Sequence, residues 1–231
     1  MKEDLFTHEV ELKKLSPKKR RRIKFKKRLL RHLYYEGPLS NPELCKLSGI
    51  SIPTGHSILD DLLEEGYVHK YGHGSSSGGR RPILYELNAD ALYIISIGIE
   101  RTRSRIAVFN LHNQIVGEIQ DVWLTMESSE AFLDKLYEHS LQMLEQAGIA
   151  YEMTLAVGVG LPGLVNSKTG RSFTFFNFQD NTIQEYLAEK FKLPVFVEND
   201  SQTQAVGEFK FGAGKGYNNM LSLNVGKGIG L

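Results

Sequence analysis

The chain has 231 residues, 41% of them hydrophobic and 24% charged, with one cysteine and a formal net charge of +1. That length suggests two domains and a sizeable core. A single Cys excludes an intramolecular disulfide framework, and no uncharged apolar run is long enough to suggest a membrane span or a signal region. A reducing, cytoplasmic setting is the expectation, with Cys45 as a small core residue. The near-zero charge hides an asymmetry: residues 1–88 carry 17 Lys and Arg against 11 Asp and Glu, leaving 11 against 16 for residues 89–231. A basic head on an acidic body implies an anionic partner for the head alone.

Residues 13–31 hold twelve basic residues and no acidic one. Ser16 can cap a helix with Pro17 at its first position, and Ile23, Leu29, Leu30, Leu33 and Tyr34 supply an apolar face. Charges this dense repel one another and are stabilised beside phosphates; Lys19 and Arg22 are candidate phosphate contacts. The alternative is a solvated face or arm.

Residues 39–68 read as two short helices around a sharp turn. Ser40 or Asn41 can cap the first, Pro42 suits its first turn, and Leu44 and Leu47 give it an inner face. Gly49 stops it, and Ser51 or Thr54 can cap the second. Ile58, Leu59, Leu62 and Leu63 form one buried face, and Gly66 ends the helix. Helix, glycine turn, helix is the arrangement that sets its second helix in the DNA major groove; the bland alternative is a helical hairpin in a small bundle. Ser51, Thr54, His56 and Ser57 then lie where base edges are in reach. Residues 67–71 and 83–87 read as strands around the loop GHGSSSGGRRP. The loop suits a wing whose Arg80 and Arg81 enter the minor groove, or else a plain linker. Domain one is therefore residues 1–88, a winged helix-turn-helix with a basic arm.

Residues 89–231 alternate strands (92–99, 105–111, 114–122, 154–159, 195–197, 220–225) with helices (130–147, 182–191, 201–211), which predicts an α/β layered domain. His112-Asn113 reads as a tight turn. Three loops follow strands. Gly160–Gly163 lets backbone approach a ligand. Asn199 and Asp200 can hydrogen-bond hydroxyls or supply a general base, or simply cap the next helix. Residues 226–230, GKGIG, can cradle phosphate.

Together these loops resemble the ROK family (repressors, open reading frames and sugar kinases), and within it the NagC/XylR-like transcriptional repressors. The similarity runs from about Lys18 onward, through Gly79-Arg80-Arg81, Gly160-Leu161-Pro162-Gly163, Asn177, VENDSQTQAVGE and FGAGKGYNNMLSLNVGKGIG. It implies an actin/hexokinase-like fold with sugar in the cleft, lined by Gly163, Asn177, Asn199 and Asp200, with Asp200 at the kinases' catalytic-base position. Two departures matter. Where family kinases have the phosphate loop D-x-G-G-T-x-x-R, this chain has Gly98-Ile99-Glu100-Arg101-Thr102-Arg103-Ser104-Arg105, so Glu100 and Arg101 replace the glycines. The family's His/Cys zinc motif has no counterpart, since no Cys follows Cys45; no metal and no cofactor are expected. The second lobe is expected to be truncated. The reading is a sugar-responsive repressor of carbohydrate-utilisation genes, not an enzyme. It would bind a double-stranded operator as a homo-oligomer, with a sugar or sugar phosphate as effector and no membrane partner. The alternatives are a sugar kinase with a DNA-binding head, and a DNA-binding module whose body only dimerises.

Overall fold

The computed structural model describes Leu5, residues 15–74, 81–176, Phe178, 181–225 and 229–230. Two compact units divide the chain. One runs to Leu92 and also takes in Leu111–Asn113; the other comprises Tyr93–Asn110 and the chain from Gln114 onward.

The first unit is built from α1 (Pro17–Glu36), β1 (Leu39–Ser40), α2 (Asn41–Ser48), α3 (Ile52–Glu64), β2 (Val68–His73) and β3 (Ile83–Leu87). Ser16 caps α1, its hydroxyl accepting from Lys19 N, and Pro17 follows where no amide donor is needed. Ser40 starts α2, with Glu43 Oε2 reaching back to the Ser40 amide at 2.8 Å and its hydroxyl at 2.6 Å. These contacts hold the Glu43 carboxyl below its ordinary range. Gly49 takes the left-handed conformation (φ 62°) that ends α2. After α3, Gly66 is left-handed (φ 77°) and Tyr67 N donates to Leu62 O, a six-to-one closure. The three strands form an antiparallel sheet in the order β1-β3-β2. Three helices with a β2–β3 hairpin are a winged helix-turn-helix.

The core of this unit contains Ile23, Leu29, Leu33, Leu44, Ile58, Leu59 and Leu62. One expectation fails: Leu47 is 50% exposed, and Leu44, Cys45 and Ser48 form the inner face of α2 instead. The i, i+1, i+4 row faces inward, and Leu47 falls outside it.

The second unit centres on a five-stranded sheet, order β10-β7-β4-β5-β6, of β4 (Tyr93–Ile99), β5 (Ser104–Asn110), β6 (Ile115–Val122), β7 (Thr154–Leu161) and β10 (Val195–Asn199). β4, β7 and β10 run parallel, while β5 and β6 continue antiparallel. β4 alternates buried and half-buried positions, sending Tyr93, Ile95, Ile97 and Ile99 to the core. α4 (Glu130–Gln146) packs on β5 and β6, and α5 (Ile183–Phe191) on β10 and α4. Short β8 (Val165–Asn166) and β9 (Arg171–Ser172) pair between β7 and α5. Tyr151 donates to Phe191 O, and burial pushes its hydroxyl up to about 12. α6 (Asp200–Phe211) packs on β10 and β7. The expected strand over 220–225 shrinks to β11 (Asn224–Val225), paired with β12 (Ile229–Gly230); Leu221 and Leu223, just before it, stand 81% and 61% exposed.

Candidate functional site

In the first unit the candidate surface is the start of α3. Ser51 caps the helix: its hydroxyl accepts from Thr54 N and lies 2.8 Å from Thr54 Oγ1. Asn41 Nδ2 donates to Ile52 O, and Cys45 Sγ to Ser51 O, so α2 fixes the first turn of α3. The helices approach so closely that a Cβ on Gly55 would overlap the Cys45 sulfur and the Asn41 side-chain oxygen. His56 and Ser57 are exposed on the next turn. Arg81 is exposed at the base of the β2–β3 hairpin, while Arg80 lies outside the described residues.

α1 does more than carry charge. Arg22 grips Asp61 of α3 through Nε (2.5 Å) and Nη2 (2.6 Å), and the same Nη2 donates to the Ser57 carbonyl and hydroxyl. Lys26, buried, bridges Asp61 (3.1 Å) and Glu65 (2.5 Å). The Arg22 hydrogen bonds, with Lys26 adding to them, hold the Asp61 carboxyl below its ordinary value. Arg28 donates to Ser48 O at 2.6 Å, closing the end of α2. Arg22 and Lys26 therefore orient α3. Asp61, one turn beyond Ser57, and Glu65, which caps the end of α3, were the available signal.

In the second unit the parallel register sets Gly98, Gly160 and Glu198 side by side, so the loops after β4, β7 and β10 leave one edge of the sheet. This is where an open parallel sheet offers a binding crevice. Asn199 Nδ2 donates to Gly163 O at 2.9 Å while its Oδ1 accepts from Gln202 N, capping α6. Gly163 has φ +94°, and a Cβ there would lie 2.7 Å from Thr174, so the loop needs glycine. The sequence left the cap open between Asn199 and Asp200; Asn199 holds it. Asp200 is the first helical residue, its Oδ1 accepting from Ser201 N at 2.7 Å, and its side chain is half-buried. Asn177 and residues 226–228 lie outside the described residues. Beside Asn177, Phe176 is left-handed (φ 54°), its amide donating to Ser128 Oγ. Phe176 is buried and stacks on Phe132, so the core holds this strained backbone; nothing in the sequence marked it.

The turn from β4 to β5 is closed by Glu100 N donating to Arg103 O. Around it Arg103 and Arg105 both pair with Glu100 and Asp121, at 3.3 to 3.7 Å, and Arg103 lies over the Trp123 ring. A depression of about 370 Å³ lies farther along α6, lined by Val206, Phe209, Lys210 and Met220 among others; it contains none of the loop residues above.

The ROK family pattern matches residues 94–231, more than half of the chain. The chain belongs to the ROK family. Residues 24–69 match the pattern described as winged helix-turn-helix DNA-binding. Among ROK relatives, the xylose repressor of Bacillus spizizenii is 31% identical over 209 residues, covering 89% of this chain and 53% of that protein. The chain spans about half the length of the curated relatives it matches. A solved ROK family transcriptional regulator, a homologue of the Escherichia coli MLC protein, shares the fold with TM-score 0.65 at 21% identity, over 82% of this chain and 48% of that one. A ROK family glucokinase from Streptomyces griseus, solved with glucose and AMPPNP, gives 0.51 at 26%, over 60% and 43%. The body is thus a partial sugar-kinase-like α/β domain behind a winged helix-turn-helix.

Proposed function

We propose that this chain is the DNA-binding and part of the effector-binding portion of a sugar-responsive repressor that does not phosphorylate sugar. The observation that carries it is a winged helix-turn-helix on a ROK domain; the Glu100 pairs with Arg103 and Arg105, in the stretch that the resemblance aligns with the kinases' phosphate loop, support the lack of phosphorylation. Relatives named as xylose repressors support the same reading. The head binds duplex operator DNA through the first turns of α3, with Ser51, Thr54, His56 and Ser57 at the groove and Arg80 and Arg81 at the wing. It does so as a homo-oligomer, because one short helix reads too few bases for a specific site. Gly163, Asn177, Asn199 and Asp200 hold the sugar. With no chemistry to perform, Asp200 serves as a hydroxyl acceptor. Sugar binding shifts the population of DNA-competent arrangements.

The test is a titration of the chain with labelled duplex at several salt concentrations, with xylose, glucose or their phosphates added. Binding should weaken as salt rises, by a slope of roughly 0.9 per neutralised phosphate, and one sugar should change the affinity. Affinity independent of salt would refute the DNA reading. Sugar-dependent ADP release from ATP, lost in Asp200→Asn, would establish the kinase instead.

A further inference from the structure

We infer that Ile52 reads thymine methyl groups in the major groove. The inference depends on the DNA-binding reading of the head. Ile52 is the first residue of α3, between the capping Ser51 and Pro53, and its side chain is 56% exposed. Ser51, Thr54, His56 and Ser57 share the first two turns with it, so Ile52 is the one large aliphatic side chain exposed on that stretch of α3. Its backbone is held from two sides, by Asn41 on its carbonyl and by Cys45 on the carbonyl before it. Proline at the next position removes further freedom. A branched, stiff side chain is therefore presented on a rigid mount to whatever meets the helix start.

The charge of α3 decides which end meets DNA. Asp60 and Glu64 are exposed, one and two turns beyond His56 on the same row. Those carboxylates oppose phosphate, so the helix enters the groove by its first turn, where no acidic residue stands. The major-groove edge of the bases offers donors, acceptors and one apolar group, the thymine C5 methyl. An exposed isoleucine among polar readers has that group as its complement.

The whole 231-residue chain is used to enrich one duplex from a random pool. That duplex is then synthesised twice, with thymine or with deoxyuridine at every such position. Fluorescence anisotropy at fixed salt should show wild type binding the thymine duplex about fourfold more tightly for each methyl read, the worth of one buried methyl. Ile52→Ala should bind both duplexes alike, at about the wild-type affinity for the uridine form, with an unchanged melting temperature. Ile52→Val should keep a reduced preference. Equal binding of both duplexes by wild type, or a full preference retained in Ile52→Ala, would overturn the assignment and leave DNA binding standing. Failure of wild type to bind either duplex at low salt would overturn both.

Discussion

Asp61 shows how a single carboxylate can carry a domain. It accepts from Arg22 and, with Glu65, neutralises the buried Lys26. Asp61→Asn leaves that lysine short of charge and should cost the head about 1–3 kcal/mol in urea unfolding at neutral pH. Because folding depresses the Asp61 carboxyl, its contribution is present above the unfolded value near pH 4. It is lost as pH falls through the lower folded value. The gap between wild type and variant should therefore be flat above about pH 4 and close below it. In the body, Asn199 and Asp200 divide their work. Asn199→Ala removes a helix cap and the clip to Gly163, and should lower stability by about 1–2.5 kcal/mol. Asp200→Asn keeps the fold and should abolish thermal stabilisation by the effector sugar. A full sugar shift in Asp200→Asn would place the binding site elsewhere. Residue types at these loops were legible; their geometry was not. The sequence could not say which of two adjacent polar residues caps α6, because both are good caps, and it marked the Arg22 pairing only by an acidic residue 39 positions away.

At the scale of elements, the longer helices and strands of both units follow the sequence where caps, glycines and apolar spacing agree, while the two-residue strands β1, β8 and β9 were not read from it. Misreadings arose where a short helix has more than one apolar row, as with Leu47, and where a strand pattern forms no strand, as over 220–223. The closeness of α2 to α3 was not legible. It depends on Gly55, mid-helix, where glycine is otherwise unfavourable. Gly55→Ala forces the new methyl against Cys45 and Asn41 and should destabilise the head by about 1–3 kcal/mol despite better helix propensity. Adding Cys45→Ala should restore part of the loss, and the shortfall from additivity measures the contact. If Gly55→Ala alone melted at or above the wild-type temperature, the close approach would be refuted.

For the whole molecule, opposite charge on the two halves means that a polyanion is attracted by residues 1–88 and repelled by residues 89–231. The division between the units also does not fall at one point in the sequence. Leu111–Asn113, the turn between β5 and β6, groups with the head. There Asn113 accepts from the Tyr34 hydroxyl at 2.7 Å, Leu111 N donates to Ala89 O, and the His112 ring meets Leu87 O at 3.0 Å. A fragment ending at Leu92 lacks all three and should melt below the head in the intact chain. Excising the head therefore takes more than a single cut: a piece released by a nick after Leu92 leaves three of its own residues, Leu111–Asn113, behind in the rest of the chain.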